Sequence, residues 1–209
     1  MLILNGKFIT FEGPEGSGKT SVITAIQSFL ENEGYDIMVT REPGGIKIAE
    51  EIRNIILNKD NIEMDAHAEA LLFAAARSQH FSEKIAPALQ ENTIILCDRF
   101  IDSSLAYQGH ARGLGIDEVY AINKFAIGNH LPQLTIFIDV PPSVGLQRVF
   151  SNTRKVDRLD LETLAFHEKV YEGYKLLIDM FPERIKTIDG TQKVEEVTQD
   201  AINTINKIL

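Results

Sequence analysis

Residues Gly13-Pro14-Glu15-Gly16-Ser17-Gly18-Lys19-Thr20 constrain this chain more tightly than any other segment. Two glycines separated by four residues, then Lys and Thr, form the spacing of a loop that wraps phosphate. The flanks agree with it. Lys7-Phe8-Ile9-Thr10-Phe11 alternates and favours a strand, and beyond the loop Val22, Ile26, Phe29 and Leu30 recur at helical spacing. A triphosphate is a concentrated anion and needs several donors aimed at it together. Glycine backbone takes positive φ with no Cβ in the way, and successive N–H groups then line an anion-binding nest. The helix beginning near Lys19 adds unpaired N–H groups and a positive dipole end. Lys19 is expected to neutralise the β- and γ-phosphates, and the Thr20 hydroxyl to ligate Mg²⁺. The whole loop, Gly13, Pro14, Glu15, Gly16, Ser17, Gly18, Lys19 and Thr20, thus reads as a nucleoside triphosphate site.

Strand-like apolar runs alternate with helical patterns along the rest of the chain. Residues 35–40, 93–97, 134–140 and 185–188 read as strands. Residues 48–57, 66–81, 116–127, 144–150, 161–179 and 194–208 read as helices, with a further one reaching about Gln90. Such alternation means parallel strands joined by helical crossovers. Strands that stay apolar on both faces are covered on both faces, and ligands of such sheets sit beyond the carboxyl ends of the strands.

The chain has 209 residues, 44% of them hydrophobic, which fits one α/β domain over 1–209. With 30 acids against 21 bases the net charge is -9, which argues against a general nucleic-acid binder. A lone cysteine, Cys97, fits a reducing compartment. The first residues lack the basic and apolar regions of a signal peptide, and the longest apolar run, Ala70 to Ala76, is too short to span a bilayer. A cytoplasmic protein is expected, with no membrane or nucleic-acid partner. The five histidines show no metal-ligand spacing.

Four polar loops carry a more specific pattern. They are Phe11 to Thr20, Thr40-Arg41-Glu42-Pro43-Gly44-Gly45, Asp98-Arg99-Phe100 and Asp157-Arg158-Leu159-Asp160. Together with Ser103-Ser104-Leu105-Ala106-Tyr107-Gln108-Gly109 they resemble bacterial thymidylate kinases, in order and spacing, over nearly the whole chain. The resemblance implies ATP-dependent phosphorylation of dTMP to dTDP with Mg²⁺ as cofactor. It also implies a homodimer, and a P-loop fold of the nucleoside monophosphate kinase type: a five-stranded parallel sheet flanked by helices, with a short lid at about 143–160.

The acceptor would be a phosphate monoester, already largely ionised at neutral pH. No side-chain base is needed; cations that let two anions meet in line are. Arginine suits that task, being permanently charged and able to bind phosphate bidentately. By resemblance, Arg41 and Arg99 hold the dTMP phosphate, while Arg148, Arg154 and Arg158 belong to the lid over ATP. Asp98, ending a buried strand, orients the metal or its waters, and Glu15 receives the 3′-hydroxyl of dTMP. Glu69, Phe73 and Arg77 share one helix face; the resemblance puts Phe73 against thymine and Arg77 at its O4. It sends Ser104 and Gln108 to the pyrimidine edge and sets Tyr107 against the sugar 2′ position. Some family members carry an arginine inside the loop where this chain has Gly16, so the missing charge is expected from Arg154. Glu42 serves Arg41 or its own loop, and sequence leaves the isomer of the bond before Pro43 open.

Another nucleoside or nucleoside-monophosphate kinase on the same scaffold is the nearest alternative. A guanine-nucleotide switch would carry Asn-Lys-x-Asp, whereas Asn58-Lys59-Asp60 has its acid one place early.

Overall fold

The computed structural model describes residues 6–151 and 156–209. Five parallel strands, β1 (Lys7–Glu12), β2 (Ile37–Arg41), β3 (Ile94–Asp98), β4 (Leu134–Asp139) and β5 (Ile185–Asp189), form one sheet in the order β2-β3-β1-β4-β5. The helices in chain order are α1 (Lys19–Asn32), α2 (Lys47–Leu57), α3 (Ala66–His80), α4 (Ala86–Gln90), α5 (Ile101–Ser104), α6 (Ile116–Ile127), α7 (Pro142–Ser151), α8 (Leu164–Met180) and α9 (Val194–Ile205).

Side chains of a strand alternate between the two faces, and both faces here are apolar. Phe8, Ile95 and Phe137 point into one core with Phe73, Phe100 and Tyr174, under α3 and α8. Ile9, Phe11, Leu96 and Ile136 point into the other, with Val22, Ile26, Ile202 and Ile205 of α1 and α9. This is why residues 94–97 of β3 and 136–138 of β4 read as unbroken hydrophobic runs. The expected parallel sheet covered on both faces is therefore the fold observed.

Element limits shift in a few places. β2 begins at Ile37 rather than Tyr35, because Tyr35 N–H closes the end of α1 by bonding Leu30 O at 3.1 Å. α8 begins at Leu164 rather than Leu161: the Thr163 side chain caps it by accepting the Phe166 N–H at 3.2 Å. α9 ends at Ile205. A helical stretch missing from the sequence pattern runs from α5 through a π-helical segment, Leu105–Ala111. Its small and polar residues hide the apolar period. A second π turn, Phe81–Ile85, joins α3 to α4.

From β1 the chain moves to β2 on one side of the sheet, and from β3 it crosses to β4 on the other. The loops after β1 and β3 thus part at the centre of the sheet. A crevice at that switch point is where doubly wound sheets bind their ligands.

Candidate active site

A cleft of about 520 Å³ opens at that point, within the usual range for small-molecule sites. The loop 15–20 forms one wall, and Arg41, Arg53, Phe73, Arg77, Asp98, Arg99, Ser104, Tyr107, Gln108 and Arg148 complete it.

The phosphate loop owes its shape to its glycines. Gly18, the residue before α1, has φ +94, and Gly16 has φ +69, both in the left-handed region open to glycine. Gly16 also abuts α7: a Cβ built there would run into the Gly145 carbonyl. Lys19 curls into the loop and donates to Gly13 O (3.1 Å), Pro14 O (3.0 Å) and Ser17 Oγ (3.2 Å). Burial, followed by the charge of Arg99, lowers its pKa to about 8. Thr20 Oγ1 donates to Asp98 Oδ2 at 3.3 Å, so both expected metal ligands face one another at the foot of the loop. Arg148 reaches across from α7, its Nη1 lying 3.5 Å from Gly16 O.

Glu15 joins the loop to the opposite wall. Its Oε1 accepts from Arg99 Nη2 at 2.7 Å and from Tyr107 Oη at 3.0 Å. Arg99 follows β3 with φ +67, an uncommon conformation for a residue with a side chain. Burial opposes its charge, but Glu15, Tyr107, Tyr174 and Glu12 together outweigh burial and the guanidinium pKa is raised. Arg41, at the end of β2, is held by Glu50 of α2 through bonds of 3.0 and 3.2 Å.

Deeper in the cleft, Phe73 is 8% exposed and Arg77 only 2%. Arg77 is locked from every side. Its Nε donates to Glu42 Oε2 at 2.7 Å, Nη1 to Ser104 Oγ at 3.0 Å and also to Asn123 Oδ1, and Nη2 to Phe100 O at 2.9 Å. The other Glu42 oxygen accepts from His80 Nδ1 at 3.0 Å, while His80 Nε2 pairs with the Thr40 hydroxyl at 2.7 Å. Glu42 thus braces Arg77, not Arg41, and the Glu42–Pro43 bond is cis.

Two expectations fare differently. Arg154 lies outside the described residues. Arg158 lies within them but away from the phosphate loop: it is 7% exposed, and its Nη2 donates to Glu69 Oε2 at 2.5 Å and its Nε to Ile56 O at 2.8 Å. The reason is Glu69, a carboxylate on α3 that is 1% exposed and also takes bonds from Gln108 (2.9 Å) and Arg112 (3.2 Å). A buried carboxylate needs paired cations. Burial works against the charge of Glu69, and these donors overcome it, leaving its pKa lowered. Arg112 also reaches Glu162 at 2.5 Å, so the chain after the expected lid is tied to α3.

Sequence reasoning passed over Arg53 in the cleft wall, Asn123 behind Arg77, and Glu12 with Ser103 and Tyr174 behind Arg99. Glu12 left one readable sign, an acid at the buried end of a strand directly before the phosphate loop.

A phosphate loop at the switch point of a parallel sheet, facing strand-end arginines and a closed pocket with a ring and a guanidinium, defines a P-loop nucleoside-monophosphate kinase. A family model described as thymidylate kinase matches residues 11–201. A thymidylate kinase of Bacillus velezensis is 59% identical over 207 residues, 99% of this chain and 98% of its own. That of Clostridium novyi is 55% identical over 196 residues, 93% and 96% of the two chains. The crystal structure of thymidylate kinase from Ehrlichia chaffeensis superposes with a TM-score of 0.78 at 30% identity, covering 97% of this chain and 99% of the other. The chain belongs to the thymidylate kinase family.

Proposed function

We propose that the cleft seats ATP on the loop 13–20 and dTMP between Arg41, Phe73, Arg77, Arg99 and Tyr107, so that the two phosphate ends meet beside Arg99. The reaction is that of the family, phosphorylation of dTMP by an ATP-using kinase. The observation that carries the residue assignment is the Arg99–Glu15–Tyr107 junction, which links donor loop and acceptor wall within 3.0 Å.

The acceptor phosphate brings its own nucleophilic oxygen, so the chain's part is charge and placement. Lys19 meets the β- and γ-phosphates. Arg41 and Arg99 neutralise the acceptor, and Arg148 stands beside the loop. Four of the five N–H donors of Arg77 are engaged within the protein, leaving one for a base carbonyl. Its rigid setting makes that donor selective, because a base lacking the carbonyl leaves it unpaired. Phe73 offers a face to the pyrimidine, Ser104 and Gln108 line its edge, and the Tyr107 ring crowds the 2′ position. Glu15 receives the 3′-hydroxyl in this reading.

Among the described residues there is no group of three or more His, Cys, Asp or Glu side chains able to hold a metal. A hydroxyl and one carboxylate, Thr20 and Asp98, form a hard oxygen pair that suits Mg²⁺, which takes few protein ligands and completes its shell with phosphate oxygens and water. Thr20 and Asp98 would hold the ion, whose charge would offset that of the phosphates.

The single domain spans 1–209, and its lid, about 143–160, contributes Arg154 as the cation for the transferring group. Such arginines speed transfer by roughly 10³ to 10⁵ in related systems. The homodimer is supported by large apolar side chains left exposed on α3 and α6, Leu71 at 56% and Phe125 at 95%. No described helix is long and apolar enough to cross a membrane; a cytoplasmic site of action fits the free nucleotide substrates.

Coupled ADP release with dTMP, dUMP, UMP, CMP, AMP and GMP as separate acceptors tests the reading. Turnover is expected with dTMP far above UMP, CMP, AMP and GMP, and the dUMP rate reads whether the pocket senses the 5-methyl group. Equal turnover with a purine acceptor would overturn the pocket assignment, and Arg154→Ala retaining near-normal kcat would remove Arg154 from its role.

A further inference from the structure

Glu12, the last residue of β1, is completely buried directly before the phosphate loop. Its Oε1 accepts the Phe100 N–H at 2.7 Å and the Ser103 N–H at 3.3 Å. Its Oε2 accepts the Ser103 hydroxyl at 2.5 Å and the Tyr174 hydroxyl at 2.8 Å. Both hydroxyl oxygens lie 3.1 Å from Arg99 Nη1.

Proton counting gives this arrangement a direction. Each hydroxyl carries one proton and two lone pairs, and an ionised carboxylate only accepts. The two hydroxyl oxygens lie 2.9 Å apart, but the buried carboxylate is the stronger acceptor; with both protons turned to Glu12, both hydroxyls show lone pairs to the guanidinium. The bonds to Ser103, Tyr174 and Glu15 use three of the five N–H donors of Arg99, and two remain for a phosphate. The same carboxylate holds the backbone. The left-handed φ of Arg99 costs about 1–2 kcal/mol, and such residues persist only where their surroundings fix them. The bond from Glu12 to the next N–H, that of Phe100, is one such restraint.

We propose that Glu12 is a positioning residue for phosphoryl transfer, orienting Ser103 and Tyr174 so that Arg99 is held by its Nη1 and offers its remaining donors to the acceptor phosphate. The proposal rests on the placement of Arg99 at the dTMP phosphate given above. The second buried carboxylate nearby, Asp102, is not available for this work: Arg184 binds both its oxygens at 2.6 and 2.7 Å.

The test is a double-mutant cycle on the full chain, read by steady-state kinetics at pH 8. Burial and then Asp102 raise the Glu12 pKa to about 7, so at pH 8 the side chain is ionised. Glu12→Gln puts an amide N–H where an acceptor stood, and Tyr174→Phe deletes one of the two lone-pair donors. Each is expected to raise KM for dTMP at least about tenfold while KM for ATP stays within about twofold. Arg99→Lys should lower kcat/KM for dTMP by about a hundredfold or more. In the Arg99→Lys background, Glu12→Gln should cost less than about threefold, because its route to the substrate has been removed. Multiplying losses, or a parallel rise in KM for ATP, would overturn the proposal. Near-normal kinetics of Arg99→Lys would instead overturn the placement of Arg99, and the proposal with it. Should Glu12→Gln fail to fold, Tyr174→Phe alone and combined with Arg99→Lys decides by the same criteria.

Discussion

Replacing Arg158 with Met separates two roles for this residue, a contact to ATP and a tie between the lid's end and α3. Methionine keeps the length and apolar character of the stem but removes the guanidinium. The change deletes the 2.5 Å bond to Glu69 and the 2.8 Å bond to Ile56 O. Both bonds have the charged guanidinium as donor, and a bond to a charged group is worth about 1.5–3 kcal/mol. Glu69 retains Arg112 and Gln108, so the loss should fall short of the roughly 3–5 kcal/mol that follows when a buried ion loses its only partner. A loss of about 3 kcal/mol results. For a chain of this size each kcal/mol moves Tm by about 2–4 °C, so unfolding of the nucleotide-free protein should begin about 6–12 °C lower. KM for ATP should change by less than about threefold. Thermal unfolding followed by circular dichroism, beside initial rates at varied ATP, provides both readings. An unchanged Tm with KM for ATP raised about tenfold or more would refute the tie and restore Arg158 to the nucleotide.

Tyr107→Ala should narrow the preference for dTMP over ribothymidylate at least about tenfold in kcat/KM, whereas Tyr107→Phe, which keeps the ring, should preserve it; equal selectivity of the two variants would remove the ring from sugar discrimination. Glu12 makes stability depend on pH in a stated direction: its pKa is raised from 4.5 to about 7 by burial and then by Asp102. Between those values the native chain holds a proton that the unfolded chain has released, so stability falls as pH rises through that window, at most about 1.4 kcal/mol per unit. Denaturant unfolding of wild type minus that of Glu12→Gln should show this slope, and a difference flat from pH 5 to 7 would count against it. Phe125→Glu, at a side chain 95% exposed, should convert the proposed homodimer to monomers in sedimentation velocity without lowering Tm; a dimer that persists in the variant would place the interface elsewhere, and a monomeric wild type would overturn the homodimer itself.

The sequence carried whatever is encoded by neighbours in the chain. The loop 13–20 is a run of eight residues whose function follows from its spacing, and strand and helix periods need only a few turns or pleats to declare themselves. Arg41, Asp98 and Arg99 stood out because each ends or directly follows a strand, where a parallel sheet presents its ligand. What escaped is held together across the chain. Glu69 meets Arg158 at a separation of 89 residues, Glu12 meets Tyr174 at 162, and Arg77 meets Asn123 at 46. No local pattern tells a carboxylate which of several arginines it will pair with. Arg158 shows the consequence. The family resemblance assigns it to the lid over ATP, and its bond to the buried Glu69 is a contact that no local pattern announces. The helical stretch after Asp98 was missed for another reason: Ser103, Ser104, Gln108 and Gly109 blur its apolar period, because that face serves the cleft as well as the core.

The contact between Gly16 and Gly145 bears on how members of this family can diverge. A side chain at position 16 would meet the backbone of α7, and the left-handed φ there is unfavourable to any residue but glycine. An arginine in the loop therefore cannot be acquired here by one codon change; α7 would have to swing outward at the same time. An arginine in the loop and the cation proposed for the lid are thus separated by a steric barrier in a chain with this packing.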